Sequence, residues 1–299
     1  MYKVACTNSI YSFSKNNKPV LNIKSGDEVI IETMDCFSNQ IQDNRDRLEA
    51  MDWNRVNPAA GPIFIEGAQP CDVLKVTINK IELNNKVVLS TGENLGVLGG
   101  KLKGLSSSIK VIENNEVVFD DKLRLPLNKM IGVIGTAPLF GEINCGTPGS
   151  HGGNMDNTMI TEGSILYLPV FIEGALFALG DLHAVMGDGE IGVSGAEAAG
   201  MVYVKLEVIK ELRLQNPLLE NGDSICTISS AETLDEAVNK AVIDMADILT
   251  ERINLPYSEI TMLLSLVGQA QICQVVDPLK TARFVVPKWV LERYDFKLV

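Results

Sequence analysis

Cys71-Asp72-Val73-Leu74-Lys75-Val76-Thr77-Ile78-Asn79 reads as a turn that launches a strand. Val73, Lys75 and Thr77 alternate with Leu74, Val76 and Ile78, the two-residue period of a pleated chain. Upstream, Ser25-Gly26-Asp27 turns in the same way into Glu28-Val29-Ile30-Ile31-Glu32. Working outward, similar short runs occupy 24–32, 86–89, 108–113, 117–119, 130–135, 164–171, 175–181 and 201–211. Glycine, proline and asparagine punctuate them. Such spacing predicts a mainly β chain, a sandwich or jelly roll. Two long polar segments interrupt it, 35–60 and 137–161, and long loops in a compact domain usually serve function.

The texture changes after residue 228. Thr233-Leu234-Asp235-Glu236 reads as a capping box, and Leu234, Val238, Ala241, Met245, Ile248 and Leu249 follow at helical spacing as far as Arg252. A second helix is expected over 258–271, after Pro256, and a short strand over 282–286. The expected organisation is a β-sandwich over 1–228 carrying the active-site loops, with an α+β portion over 229–299 packed on it.

The 299 residues carry a formal charge of −12, with 46% hydrophobic and 21% charged residues. That balance belongs to an ordinary globular protein. The negative field argues against DNA, RNA and anionic membranes as partners and fits a small neutral or cationic ligand or a metal ion. The most apolar stretch, 165–179, is broken by Pro169, Glu173 and Gly174 and reads as a hairpin rather than a membrane span. No secretory signal is visible, so the cytoplasm is the expected compartment. Cys6, Cys36, Cys71, Cys145, Cys226 and Cys273 form no C-x-x-C pair, which disfavours a zinc-thiolate cluster.

The chemistry concentrates around the two histidines. His151 lies in His151-Gly152-Gly153-Asn154-Met155-Asp156, and His183 in Gly180-Asp181-Leu182-His183-Ala184-Val185-Met186-Gly187-Asp188-Gly189-Glu190. If a strand continues to residue 183, Asp181 and His183 project to one side, and Asp188 and Glu190 can fold back after the turn. An imidazole among carboxylates suits zinc or a similar divalent ion, which would activate water and polarise a carbonyl. Either motif alone is more often a hydrogen-bonded structural pair; the two together favour a site. Asp35, at the mouth of a polar loop, and Glu66, expected to be partly buried beside Phe64, are secondary candidates. A turn-forming role for Asp35 and a salt bridge for Glu66 stand beside those readings.

Three segments carry a family resemblance: Asn57 to Ala68 (NPAAGPIFIEGA), His151 to Asp156, and Gly180 to Glu197 (GDLHAVMGDGEIGVSGAE). Ile272-Cys273-Gln274-Val275-Val276-Asp277-Pro278 adds a fourth. All four resemble the acetamidase/formamidase family. The resemblance implies a jelly-roll-like β-sandwich with a C-terminal α+β portion, hydrolysis of short amides, a divalent metal, and a homodimer or larger homo-oligomer. It also marks His151, Asn154, Asp156, Asp181, His183, Asp188 and Glu190 as site residues. Met186 stands where the family often has glutamine, and Cys71 where glycine is usual.

The resulting expectation is a metal-dependent hydrolase of short aliphatic amides. His183, Asp181, His151 and Asp156 are expected at the metal, with zinc first and calcium or another divalent ion as alternatives. Glu190 or Asp188 is the expected general base, and Asn154 the group that binds the substrate amide or the oxyanion. Two rivals are a non-catalytic ligand- or metal-binding protein of the same fold and an amidase with Cys36 or Cys145 as nucleophile.

Overall fold

The alternation at 73–78 becomes the strand Val73–Gly92 in a computed structural model that describes residues 1–43 and 48–299. Residues 44–47 of the polar segment 35–60 lie outside the described residues. One edge of Val73–Gly92 pairs antiparallel with Glu197–Ile209; the other takes Ile165–Pro169 and then Leu105–Glu113. Glu28–Thr33 adds to the far side of Glu197–Ile209. A second layer is built from Ala59–Glu66, Phe177–His183, Met130–Gly135 and Gly152–Asn154. Ile31, Ile78, Val202 and Val204 of the first layer share one buried cluster with Ile63, Ile65, Ile131, Ile134 and Leu179 of the second. Each such side chain contributes about 1.5–3 kcal/mol on burial. The fold is mainly β, in the sandwich arrangement that the alternation predicts.

The stretch 165–179 is not a hairpin. Ile165–Pro169 pairs with Val73–Gly92 and Leu218–Glu220, whereas Phe177–His183 pairs with Met130–Gly135 and Ala59–Glu66. The chain crosses between layers at a turn in which Ala175 and Leu176 adopt φ of 58° and 51°. Cys71 takes φ 74°, a conformation natural to glycine, which accounts for the residue usual there. Among the described residues no helix is long and apolar enough to cross a membrane.

At the C-terminal end Thr233 caps the helix Leu234–Arg252, its hydroxyl accepting from the Glu236 amide at 3.3 Å. Ala241, Met245 and Leu249 of this helix pack on Ile225, Phe284 and Val286 of the strands Ser224–Ala231 and Lys280–Pro287. The expected boundary at residue 228 falls inside Ser224–Ala231. The second helix, Tyr257–Val267, is shorter than expected, because Gly268 ends it and Gln269–Gln274 pairs with Lys280–Pro287. A Cβ at Gly268 would lie 2.1 Å from the Phe284 ring, so that junction admits only glycine.

Candidate functional site

The two layers join at one short pairing, Leu182 with Ala198 and His183 with Glu197. That register sets His183 beside a carboxylate. Its Nε2 stands 2.9 Å from Glu197 Oε2 and 3.6 Å from Asp181 Oδ1, and its Nδ1 stands 3.9 Å from Asp156 Oδ1. All four residues are 3% exposed or less. Asp156, Asp181 and Glu190 adopt positive φ of 43°, 57° and 46°. Such backbone is uncommon outside glycine and tends to cluster at functional sites. Gly132 makes the room. A Cβ there would approach Asp181 Oδ2 to 2.3 Å and Asp156 Oδ1 to 2.5 Å.

This is a costly place for charge. Among the described residues the ion-pair partner of Asp156, Asp181 and Glu197 is His183, and no lysine or arginine pairs with them. Burial, then the Asp181 charge, pushes Asp156 up to about 6. Burial also pushes Glu197 up to about 8, against the pull of His183. Glu190 and Asp277 are held well above the carboxylate range, by burial first and then by Asp156. Burial opposes a charged His183, yet Glu197 and Asp181 outweigh it and hold the ring well above its ordinary value.

A cavity of about 160 Å³ opens on this cluster. Asn154, Asp181, Glu190, Glu197 and Asp277 supply its polar wall, and Phe37, Trp53, Val56 and Leu95 its apolar one. Asn154 Nδ2 donates to Asp277 Oδ2 at 3.0 Å, while Asn154 Oδ1 is buried without a partner. Met186 lines a neighbouring apolar groove with Val185 and Ile191 rather than this cavity.

The remaining candidates lie elsewhere. His151 is separated from His183: Gly152 registers with Gly135, and His183 with Met130 of the same strand. Five residues at ~3.3 Å make a separation of roughly 16 Å along the strand. The His151 ring meets Phe13 edge to face at 5.1 Å, and burial alone lowers its pKa to about 4. The two imidazoles therefore do not converge. Asp188 is committed to structure, accepting from Arg283 Nη2 at 2.5 Å and from Thr158 at 2.8 Å. Arg283 also donates to Asn157 and Gln271, tying the loop after Asp156 and the loop before Glu190 to the C-terminal sheet. Asp35 is buried and accepts from the Phe37 and Asn39 amides at 3.1 and 2.7 Å, which is the turn-forming role. Glu66 is exposed at a strand end, against the partial burial expected from its neighbours.

Burial pushes the Cys36 and Cys145 thiols up, and Glu197, Asp181 and Asp35 push Cys36 further, so neither is favoured as a free thiolate; Cys36 lies beside Asp181 and Glu197. Glu197, Asp277 and Arg283 join the site without a local sequence signal, although Glu197 closes the run 180–197 and Asp277 lies in the run 272–278. Both arrive by pairing and loop return that local sequence does not encode.

The donors fit a divalent cation. Both oxygens of Asp156, Asp181 Oδ1, Glu197 Oε2 and both His183 ring nitrogens are buried without a hydrogen-bond partner. His183 Nε2 and Glu197 Oε2 are close but lack the alignment of a donor aimed at an acceptor. Oxygen and imidazole donors of this kind hold zinc and related ions.

The profile of the Acetamidase/Formamidase family matches residues 12–140 and 143–291. A crystal structure of a recombinant predicted acetamidase/formamidase from Thermoanaerobacter tengcongensis superposes with a TM-score of 0.97 at 58% identity, covering 99% of this chain and 98% of that one. An acetamidase from Bacillus halodurans gives 0.96 at 46% identity, over 98% and 99%. A Schizosaccharomyces pombe protein named as a formamidase is 27% identical over 67% of this chain, which spans 65% of that relative's length.

Proposed function

The chain belongs to the acetamidase/formamidase family, and from that premise we propose that it hydrolyses short aliphatic amides to a carboxylate and ammonia, using a divalent cation. The observation that carries the reading is the buried convergence of Asp156, Asp181, Glu190 and Glu197 on His183, with Asp277 beside Asp156 and Asn154 at a small cavity. Uncompensated buried charges cost several kcal/mol each, so such a cluster is built for a cation.

His183, Asp181 and Glu197 supply the donors and Asp156 completes or orients the shell, with zinc first and calcium or another divalent ion as alternatives. When bound, the cation would polarise the amide carbonyl and lower the pKa of an adjacent water. Asn154 Oδ1, unpartnered at the cavity wall, accepts an N–H of the substrate amide. The bond between Asn154 and Asp277 aligns that carboxyl. Glu190 and Asp277 retain protons in the buried cluster, and either can hand one to the leaving nitrogen as the C–N bond breaks. Phe37, Trp53 and Val56 leave room for a short acyl group only.

The test is ammonia release from formamide and acetamide by the purified protein, before and after chelation and metal restoration. Expected are a loss of about 100-fold or more on metal removal and recovery on restoration. No release from a panel of amides at full metal occupancy overturns the reading. Release that survives metal removal but is abolished by a thiol reagent overturns its metal part.

A further inference from the structure

We infer that the cation lies on the Nε2 side of His183 with the Cys36 thiolate as a ligand beside Asp181 and Glu197, a mixed sulfur, nitrogen and oxygen site that selects zinc over calcium or magnesium. The inference rests on the metal reading above and adds the position of the ion and the identity of its softest donor. Cys36 Sγ and one oxygen each of Asp181 and Glu197 lie within 4.8 Å of one another. Zinc bonds of about 2.0–2.3 Å put two donors of one ion at most ~4.6 Å apart, so this set nearly closes on a common ion. His183 Nε2 stands 2.9 and 3.6 Å from oxygens of those two carboxylates and would close on the ion as a fourth donor, while the ring also lies within 4.8 Å of Asp156 and Glu190.

Independent observations point to a ligand there. Asp181 Oδ1 and Glu197 Oε2 are buried and unpartnered, and Cys36 is 6% exposed. The Cys36 backbone is pinned. Asp35 holds the turn through the Phe37 and Asn39 amides, and the Asn57 amide donates to the Cys36 carbonyl at 2.7 Å. Asp35 is thus a positioning residue for the sulfur. Cys36, Asp181 and Glu197 all line the cavity, so the coordination position that zinc can add faces substrate. On the other side of the ring Nδ1 faces Asp156 at 3.9 Å, too far for a hydrogen bond but close enough for the carboxylate to favour the ring's charge. Glu190 and Asp277 are left for proton transfer. Cys36 releases its thiol proton to solvent as the ion binds, and soft sulfur favours zinc over hard oxygen-seeking cations.

X-ray absorption at the zinc edge of the full-length, zinc-loaded protein is the direct test. A sulfur neighbour at about 2.3 Å is expected; a shell of nitrogen and oxygen alone overturns the inference. The cobalt-substituted protein should show a thiolate-to-cobalt charge-transfer band that Cys36→Ser abolishes and Cys145→Ser keeps. Cys36→Ser should also weaken zinc binding by roughly 10–100-fold while leaving calcium binding unchanged. A band that persists in a folded Cys36→Ser protein overturns the assignment, and if that variant does not fold the wild-type sulfur shell decides alone. The two readings fail separately. A sulfur shell without ammonia release removes the amidase reading, and ammonia release with an oxygen and nitrogen shell removes this one.

Discussion

The runs 151–156 and 180–197 look alike in sequence, each an imidazole set among glycines and carboxylates. Folded, they are opposites. His183 is ringed by Asp156, Asp181 and Glu197, whereas His151 meets Phe13 and the glycines around it. The strand Met130–Gly135 spans the distance between them: His183 pairs at one end, and Gly152, next to His151, at the other. Residue types state which chemistry is available. Register decides which residues meet to perform it, and Asp156 meets His183 only because its loop runs back along that strand.

The most severe test of the contrast exchanges the two rings for inert side chains. His183→Ala should empty the proposed metal site and lower kcat/KM by on the order of 10³-fold. His151→Leu should keep metal content and kcat/KM within a few-fold, because no carboxylate of the cluster touches that ring. Metal analysis and ammonia-release kinetics on both folded variants make the comparison. If His151→Leu empties the site as thoroughly as His183→Ala, the two runs form one centre after all.

A finer test uses two glycines of the same strand. Gly132→Ala drives a methyl group onto Asp181 and Asp156, while Gly135→Ala drives one to within 2.6 Å of the His151 carbonyl oxygen. The first should weaken metal binding by roughly 10–100-fold, the range for displaced ligand support. The second should cost about 1–3 kcal/mol of stability and leave metal affinity per folded molecule unchanged. Calorimetric titration and thermal unfolding read the two separately. Equal losses of affinity would mean that strain spreads along the strand and the two ends are coupled.

The same contrast explains what the sequence could and could not disclose. The alternation at 73–78 and the cap at Thr233 are local, and both elements form where they are expected. The stretch 165–179 fails as a hairpin because its two halves find better partners in different layers. The helix expected to reach 271 stops at Val267, where a waiting strand edge outcompetes helical spacing. Within the site, Asp181 and His183 are neighbours on one strand, so their meeting is local. Glu197 arrives through a pairing between layers and Asp277 from the turn joining Gln269–Gln274 to Lys280–Pro287, neither of which leaves a local mark. Asp188 shares a motif with Glu190 but turns instead to Arg283, which lies 95 residues away.

The smallest effect lies in the quiet half of the comparison. Burial holds the His151 ring neutral down to about pH 4, while in the unfolded chain it takes a proton near its ordinary 6.5. Between those values the unfolded state binds the extra proton, so the stability that a neutral ring permits is whole above pH 6.5 and drains away as pH falls towards 4. One unit of pH within that window is worth about 1.4 kcal/mol. Wild type and His151→Leu share the carboxylate cluster, so its own titration cancels in their difference. Their gap in unfolding free energy, measured with denaturant, should therefore move by about 1.4 kcal/mol against wild type between pH 7.5 and 5.5. A gap that stays constant over that range would mean that the folded ring accepts its proton as readily as the unfolded one. His151 would then have a charged or solvated partner, and the distinction between the two histidines would be lost.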